Sequence, residues 1–248
     1  MNHGVPSILV VDDEIDICKN MEDIFTDMGY RVGIATNGLA ALELLRKDPY
    51  DLALLDLKMP GMDGLTLYRE IKKLRSGTAA FLVTAFASTA ASDDATAIGI
   101  LQILPKPVDF SKLLGLVDRT LSQPLVLIVD DDQDLCQNLW DLIHQHSYRV
   151  CITHDEEQAA ELLEEMAFDV VLIDMKLPKG DGRHIFRLVK AASPKAGTIA
   201  ITGCRIETDH LIQQVMAEGA DAVCYKPFDI PELLRTIERL SDRQKHPV

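Results

Sequence analysis

The chain repeats itself at a distance of 118 residues. "LVVDDEIDIC" at residues 9–18 returns as "LIVDDDQDLC" at 127–136. Asp12 and Asp130, Asp56 and Asp174, and Thr84 and Thr202 are each separated by 118 positions. Lys106 and Lys226 are separated by 120, so the later part of the second copy carries two extra residues. "YDLALLDLKMP" and "FDVVLIDMKLP" keep the same register, as do "MDG" and "GDG". A period this long marks a duplicated domain and not a solenoid repeat. The chain must therefore build the same unit twice, over 1–122 and 123–248. Only "SQP" separates the last helix of one copy from the first strand of the next, too little chain for a long flexible tether.

Within each copy, short apolar runs alternate with longer amphipathic stretches. In the first copy the pattern predicts strands near 7–12, 31–35, 51–56, 79–84 and 100–105. It predicts helices near 14–28, 38–47, 64–75, 88–98 and 109–121. Runs such as "ILVV", "LALLDL" and "AAFLV" are almost continuously apolar, as strands covered by helices on both faces require. Strict alternation implies a parallel sheet with right-handed crossovers. Five such units make a doubly wound α/β domain whose ligand site lies at the carboxyl ends of the strands.

Composition narrows the function. The chain is 47% hydrophobic and 26% charged, and no apolar run reaches membrane-span length. "MNHGVPSILVVDDE" has no basic start, so a cytoplasmic protein without a secretory signal is expected. Residues 1–123 carry a net charge of −5 and residues 124–248 a net of −9. Such acidic halves argue against a nucleic-acid surface. Cys18, Cys136, Cys151, Cys204 and Cys224 are odd in number and have no C-x-x-C spacing, so buried reduced thiols are expected.

The polar residues gather at predicted strand ends: Asp12 and Asp13 after the first, Asp56 after the third, Thr84 after the fourth and Lys106 after the fifth. In a parallel sheet these ends share one edge, and Asp130, Asp131, Asp174, Thr202 and Lys226 converge in the same way. Clustered carboxylates repel one another unless neutralised, and Mg2+ suits a few carboxylates with water and a phosphate oxygen. A carboxylate held there can attack phosphorus, while Lys and Thr stabilise the transferring oxygens. An Asp pair after a strand is on its own more often a helix cap; that reading leaves the matched Asp, Thr and Lys unexplained.

Both halves resemble receiver domains of two-component response regulators, through "VVDDE" and "IVDDD", "LLDLKMPGMDG" and "LIDMKLPKGDG", "LVTA" and "AITG", and "PKP" and "YKPF". The resemblance implies a flavodoxin-like (βα)5 fold with a five-stranded parallel sheet in each copy. It implies that Asp56 and Asp174 are phosphoacceptors. Asp12, Asp13, Asp130 and Asp131 would hold Mg2+ together with the acceptors and the backbone carbonyls of Lys58 and Lys176. Thr84 and Thr202 would bind the phosphoryl group, and Lys106 and Lys226 would pair with it. Each Lys precedes a proline, and in the family that bond is usually cis. The implied donor is a histidine kinase or histidine phosphotransfer protein. The downstream protein target is unidentified, homodimerisation is left open, and neither nucleic acid nor membrane is expected as a partner. The chain is expected to lack an output domain and to act as a phosphoacceptor and not as an enzyme. Alternatives are a phosphorylation-independent scaffold and a fragment of a longer hybrid kinase or regulator. An aspartyl-phosphate phosphatase is disfavoured, because its nucleophile follows the first strand in a D-x-D pattern.

Several positions depart from the family. Ile103 and Val223 stand where an aromatic switch residue is usual, three before each Lys. Tyr225 points to the opposite face from Lys226 and is no substitute. Pro105 requires an edge strand. "ASTAASDDATAIG" makes a weak fourth helix, whereas "IETDHLIQQVMAEG" in the second copy is better formed and a better candidate for the signalling face. Ala85 and Gly203 leave the phosphoryl site open, and Lys58, Lys176, Phe86 and Cys204 are placed to screen attacking water. Trp140 reads as a packing residue. His144, His146, His154, His184 and His210 read as surface histidines.

Overall fold

A computed structural model describes residues 5–85, 89–178, 180–203 and 205–245, the side chains of 89–91, 180–181, 205–209 and 244–245 aside. Lys179, Phe86 and Cys204 lie outside the described residues. The chain divides into two compact units, Met1–Gln123 and Pro124–Val248.

The first unit runs β1 (Ser7–Val11), α1 (Ile15–Asp27), β2 (Arg31–Ala35), α2 (Gly38–Lys47), β3 (Leu52–Asp56), α3 (Gly64–Leu74), β4 (Ala79–Thr84), α4 (Thr89–Ala97), β5 (Gln102–Pro105) and α5 (Phe110–Leu121). Its five strands pair in parallel in the order β2-β1-β3-β4-β5. This is the doubly wound flavodoxin-like order, with the switch point between β1 and β3. β5 is an edge strand, which is why Pro105 can end it without breaking a ladder.

The apolar runs become strands because both faces are covered: β1, β3 and β4 are buried at every residue. On one face α1 contributes Cys18, Met21 and Phe25 and α5 contributes Leu113 and Val117, packed on Ile8, Val10, Leu54 and Phe81. On the other, α2 and α3 bring Ala41, Leu45, Leu67 and Ile71 onto Leu9, Val11, Leu55 and Leu82. Alternate strand residues supply the two half-cores, as the pleat requires. Most helices start at the sheet's carboxyl edge behind an acidic or amide cap. Asn37, Asp63 and Asp109 accept from Ala40, Thr66 and Lys112 backbone N–H groups at 2.9, 2.7 and 3.1 Å.

The second unit runs β6 (Leu125–Val129), α6 (Gln133–Gln145), β7 (Arg149–Thr153), α7 (Glu156–Glu165), β8 (Val170–Asp174), β9 (Lys176–Leu177), β10 (Gly180–Asp181), α8 (Gly182–Ala192), β11 (Gly197–Thr202), α9 (Arg205–Ala217), β12 (Ala222–Tyr225) and α10 (Ile230–Lys245). Its sheet, β7-β6-β8-β11-β12, repeats the first. The antiparallel β9–β10 pair is an addition that strand-period reasoning did not anticipate, because two-residue strands carry no period. The corresponding loop of the first copy turns instead through Gly61, at a φ of +81°. Trp140 packs as expected: it is buried and donates to the Val150 carbonyl at 3.1 Å.

The fourth helices differ as their composition suggests. α4 spans 9 residues, against 13 in α9. Among described side chains α4 buries only Ala95, whereas α9 buries Ile212 and Val215. α9 is also tied to α8 through Glu218, which receives Arg187 at 2.9 and 3.0 Å and Arg183 at 3.0 Å. Those guanidinium hydrogen bonds, Arg187's foremost, hold the Glu218 carboxyl below its usual range. In native-state hydrogen exchange, α9 amides are therefore expected to show at least roughly tenfold greater protection than α4 amides. Equal protection would sink the assignment of α4 as the weaker element. No described helix is long and apolar enough to cross a membrane.

Candidate functional site

At the carboxyl edge of the first sheet, β1 ends at Val11 and the next two residues are Asp12 and Asp13. Asp12 stays in register because its backbone N–H donates to the Ala35 carbonyl at the end of β2, 3.2 Å away. Its side chain is buried and accepts from the Glu14 N–H at 3.0 Å, so it also shapes the turn into α1. The neighbouring Cys18 thiol donates to the Asp12 carbonyl at 3.3 Å, and burial raises its pKa. Neither aspartate of the pair caps α1: the N-cap is Glu14, which makes no side-chain cap hydrogen bond.

Asp56 is the last residue of β3, buried, and registered against Val83 of β4. Thr84 follows at the end of β4 and is buried to 1% exposure. The Thr84 carbonyl accepts the Lys106 N–H at 2.8 Å, which fixes where that lysine leaves the sheet. The Lys106 ammonium then reaches Asp12 at 2.7 Å and Asp56 at 3.2 Å. One carboxylate oxygen from each of Asp12, Asp13 and Asp56 lies within 4.8 Å of the others.

The second copy repeats this with a tighter lysine. Lys226 reaches both Asp130 and Asp174 at 2.7 Å, and its N–H is held by the Thr202 carbonyl at 2.8 Å. Asp130, Asp131 and Asp174 form the same 4.8 Å cluster. Asp174 accepts the Lys176 N–H at 2.9 Å; the matching Lys58 to Asp56 bond is 3.4 Å. Both Lys–Pro bonds, Lys106–Pro107 and Lys226–Pro227, are cis. Ile103 and Val223 are half-buried and packed into the cores beneath the fourth helices.

Burial raises the Asp56 pKa more than the Lys106 ammonium lowers it, with Asp12 adding to the rise. Burial likewise raises Asp130 against the pull of Lys226. For the two lysines burial acts downward, but their carboxylate partners outweigh it and raise both. A raised carboxyl pKa means that ionising Asp56 costs more in the folded state than in the unfolded state. That cost appears as pH rises through the folded pKa and is absent below the unfolded one. Asp56→Asn is therefore expected to raise the melting temperature at pH 7. The gain should close towards acid. A lower melting temperature at pH 7 would show that the Lys106 pairing dominates instead.

Three features escaped sequence reasoning. Gly64 and Gly182 open α3 and α8 directly against the acceptor's backbone: a Cβ on Gly64 would sit 2.5 Å from the Asp56 carbonyl oxygen. On Gly182 it would crowd the Asp174 carbonyl and Met175. The repeated "DG", eight residues after each acceptor, was the available signal. His154, grouped among surface histidines, is half-buried with Nδ1 2.9 Å from the Asp130 carbonyl. His144, in the same group, stacks on Trp140 with ring centroids 4.3 Å apart. No disulfide joins the described cysteines; Cys18, Cys136 and Cys151 are buried.

The model of the response regulator receiver domain matches residues 8–118 and again 126–238. A response regulator receiver protein of Anaeromyxobacter sp. (strain Fw109-5) is 33% identical over 232 residues, 94% of each chain. The transcriptional regulatory protein ZraR of Klebsiella oxytoca is 41% identical over 118 residues, which is 48% of this chain and 26% of that one. A CheY-like response regulator receiver domain protein from Methanospirillum hungatei JF-1 has a crystal structure with a TM-score of 0.46 and 32% identity, covering 48% of this chain and 94% of that one.

Proposed function

The chain belongs to the response regulator receiver family in both of its halves, and from that premise we propose that each copy takes a phosphoryl group from a phosphohistidine onto its own aspartate, Asp56 or Asp174. The observation that carries this reading is the convergence of three carboxylates, a buried threonine and a lysine on one sheet edge, twice.

The donor set is all hard oxygen, which suits Mg2+. Asp12, Asp13 and Asp56 would hold it in the first copy and Asp130, Asp131 and Asp174 in the second, with the Lys58 and Lys176 carbonyls nearby. When bound, it supplies charge neutralisation to the carboxylates and to the phosphoryl oxygens. The protein's own groups do the rest. Asp56 is held at the end of a fully buried strand and presents its carboxylate as nucleophile. Lys106 is positioned by the Thr84 carbonyl to neutralise a developing oxygen charge. The Thr84 hydroxyl stands on the neighbouring strand end to donate to another. Lys226 and Thr202 do the same for Asp174. The chain acts in the cytoplasm as a phosphoacceptor whose modification alters partner binding, and its chemistry is its own phosphorylation and dephosphorylation.

The missing switch aromatic favours one second reading. With Ile103 and Val223 packed into cores, phosphorylation would have to act through Thr84 or Thr202 without a ring rotamer change, or the copies serve as phosphorylation-independent scaffolds. Intact mass after incubation with Mg2+ and acetyl phosphate separates the two. Two phosphoryl additions, abolished by EDTA, are expected of dual acceptors; a chain that binds Mg2+ yet gains no mass from either acetyl phosphate or a phosphorylated histidine domain is a scaffold.

A further inference from the structure

Although the two pockets match, their rims do not. The first pocket is ringed by exposed apolar side chains at the starts of three helices: Ile15 of α1, Leu39 of α2 and Phe110 of α5, at 42%, 69% and 38% exposure. These helix starts lie at the carboxyl edge of the sheet, where Asp56 sits. α1 and α5 cover one sheet face and α2 the other, so the apolar groups flank the acceptor on both sides. Exposed apolar groups concentrated around a functional centre mark an interaction surface.

The second pocket has Gln133 and Glu157 at the first two of these positions and Ile230 at the third. Ile230 is as exposed as Phe110, and Tyr225 is exposed at the carboxyl end of β12, so what the second rim loses are the apolar groups on its first two helices. Charge separates the rims further. Asp155, Glu156 and Glu157 replace Asn37, Gly38 and Leu39, and Glu232 replaces Lys112. Over these four matched positions the second rim is more negative by five charges. Of the described basic residues near it, Arg183 is paired with Glu218 at 2.9 Å, His184 lies 3.3 Å from the rim's own Glu156, and Lys176 is exposed.

Any protein donating to Asp56 must cover the first rim, because in-line transfer brings donor nitrogen and acceptor oxygen to opposite sides of one phosphorus. The N–P bond breaks as the Asp56 O–P bond forms, and the imidazole keeps the electron pair and takes up a proton. A donor surface that covers Ile15, Leu39 and Phe110 gains by being apolar beside its histidine. The same surface, carrying an anionic phosphoryl group, meets like charge over the second pocket, within reach at physiological salt.

We propose that the two acceptors are not equivalent: a phosphohistidine protein whose surface beside its histidine is apolar transfers to Asp56, and the acidic rim of the second copy excludes that donor. This rests on the acceptor reading given above. The test uses the full chain and a panel of radiolabelled phosphohistidine domains, with acetyl phosphate as a donor that needs no docking. Transfer is read on Asp174→Asn, which leaves only Asp56, and on Asp56→Asn, which leaves only Asp174.

The expected result is that acetyl phosphate labels both, while the phosphohistidine domains that transfer at all label Asp56 about tenfold faster or more. Leu39→Glu with Lys112→Glu removes the preference without changing acetyl phosphate labelling. Glu157→Leu with Glu232→Lys raises transfer to Asp174, a gain that misfolding cannot mimic. Equal transfer to both acceptors, preference for Asp174, indifference to the rim variants, or no transfer from the panel while acetyl phosphate labels both overturns this inference alone. Failure of acetyl phosphate to label either aspartate overturns the acceptor reading beneath it.

Discussion

Asp56→Asn and Asp174→Asn each abolish one of two phosphoryl additions, and the double variant abolishes both. This is the largest effect expected of any substitution in the chain, because an amide cannot form the acyl phosphate at all. The geometry makes each loss local. Each acceptor ends its own β3-type strand and faces its own lysine, at 3.2 Å in the first copy and 2.7 Å in the second. Asparagine keeps the side-chain shape, so an unfolded variant is not the expected cause. The melting temperature, predicted above to rise for Asp56→Asn, is the control. If Asp56→Asn alone removed both additions, Asp174 would depend on Asp56 for its phosphate, and the copies would form a relay within one chain. If neither variant lost mass, the acceptors would lie elsewhere and the strand-end assignment would fail.

The second large effect falls on a residue without a functional group. Gly64→Ala places a methyl 2.5 Å from the Asp56 carbonyl oxygen and 2.9 Å from Leu82 Cδ2. The carbonyl belongs to a fully buried strand and cannot retreat, so α3 must move away. Overpacking of this kind costs roughly 2–3 kcal/mol, or about 10 °C in a domain of this size. Phosphorylation should also slow by tenfold or more, since the shift of α3 pulls on the loop behind the acceptor, whose Lys58 N–H holds the Asp56 carboxylate, and small misplacements of reacting groups are expensive. Gly182→Ala should do the same to Asp174.

The matched control is Gly115→Ala. Gly115 lies within α5, and no atom stands within 4 Å of a Cβ placed there. That change is expected to stabilise by about 0.5–1 kcal/mol through helix propensity. Mass spectrometry after acetyl phosphate, combined with thermal melts, reads all three. A Gly64→Ala protein that melts and labels like the wild type would show that the close approach of α3 to the acceptor is not needed.

Much of this molecule was legible before any coordinates. The 118-residue register, the near-continuous apolar strands and the placement of Asp12, Asp56, Thr84 and Lys106 at strand ends are local quantities, and short-range patterns carry them faithfully. So does the weakness of α4, since a helix built from Ala, Ser, Thr and Asp has little apolar surface to bury. Pro105 was informative for the same reason: a missing donor allows only an edge.

What only the tertiary structure decided depends on groups far apart in sequence. Strand-end placement predicts that Lys106 and Asp12 share an edge, but their direct pairing across 94 residues, and that of Lys226 with Asp130 across 96, is decided by how the strands and side chains pack. The Glu218 clamp on Arg183 and Arg187, the seat of His154 on the Asp130 carbonyl and the close approach of Gly64 to Asp56 have the same origin. So does the unlike surrounding of two like pockets, since Ile15, Leu39 and Phe110 come together around Asp56 only once α1, α2 and α5 are docked on the sheet. Periodicity specifies which face of an element is buried; packing alone decides which side chains from different elements end up side by side.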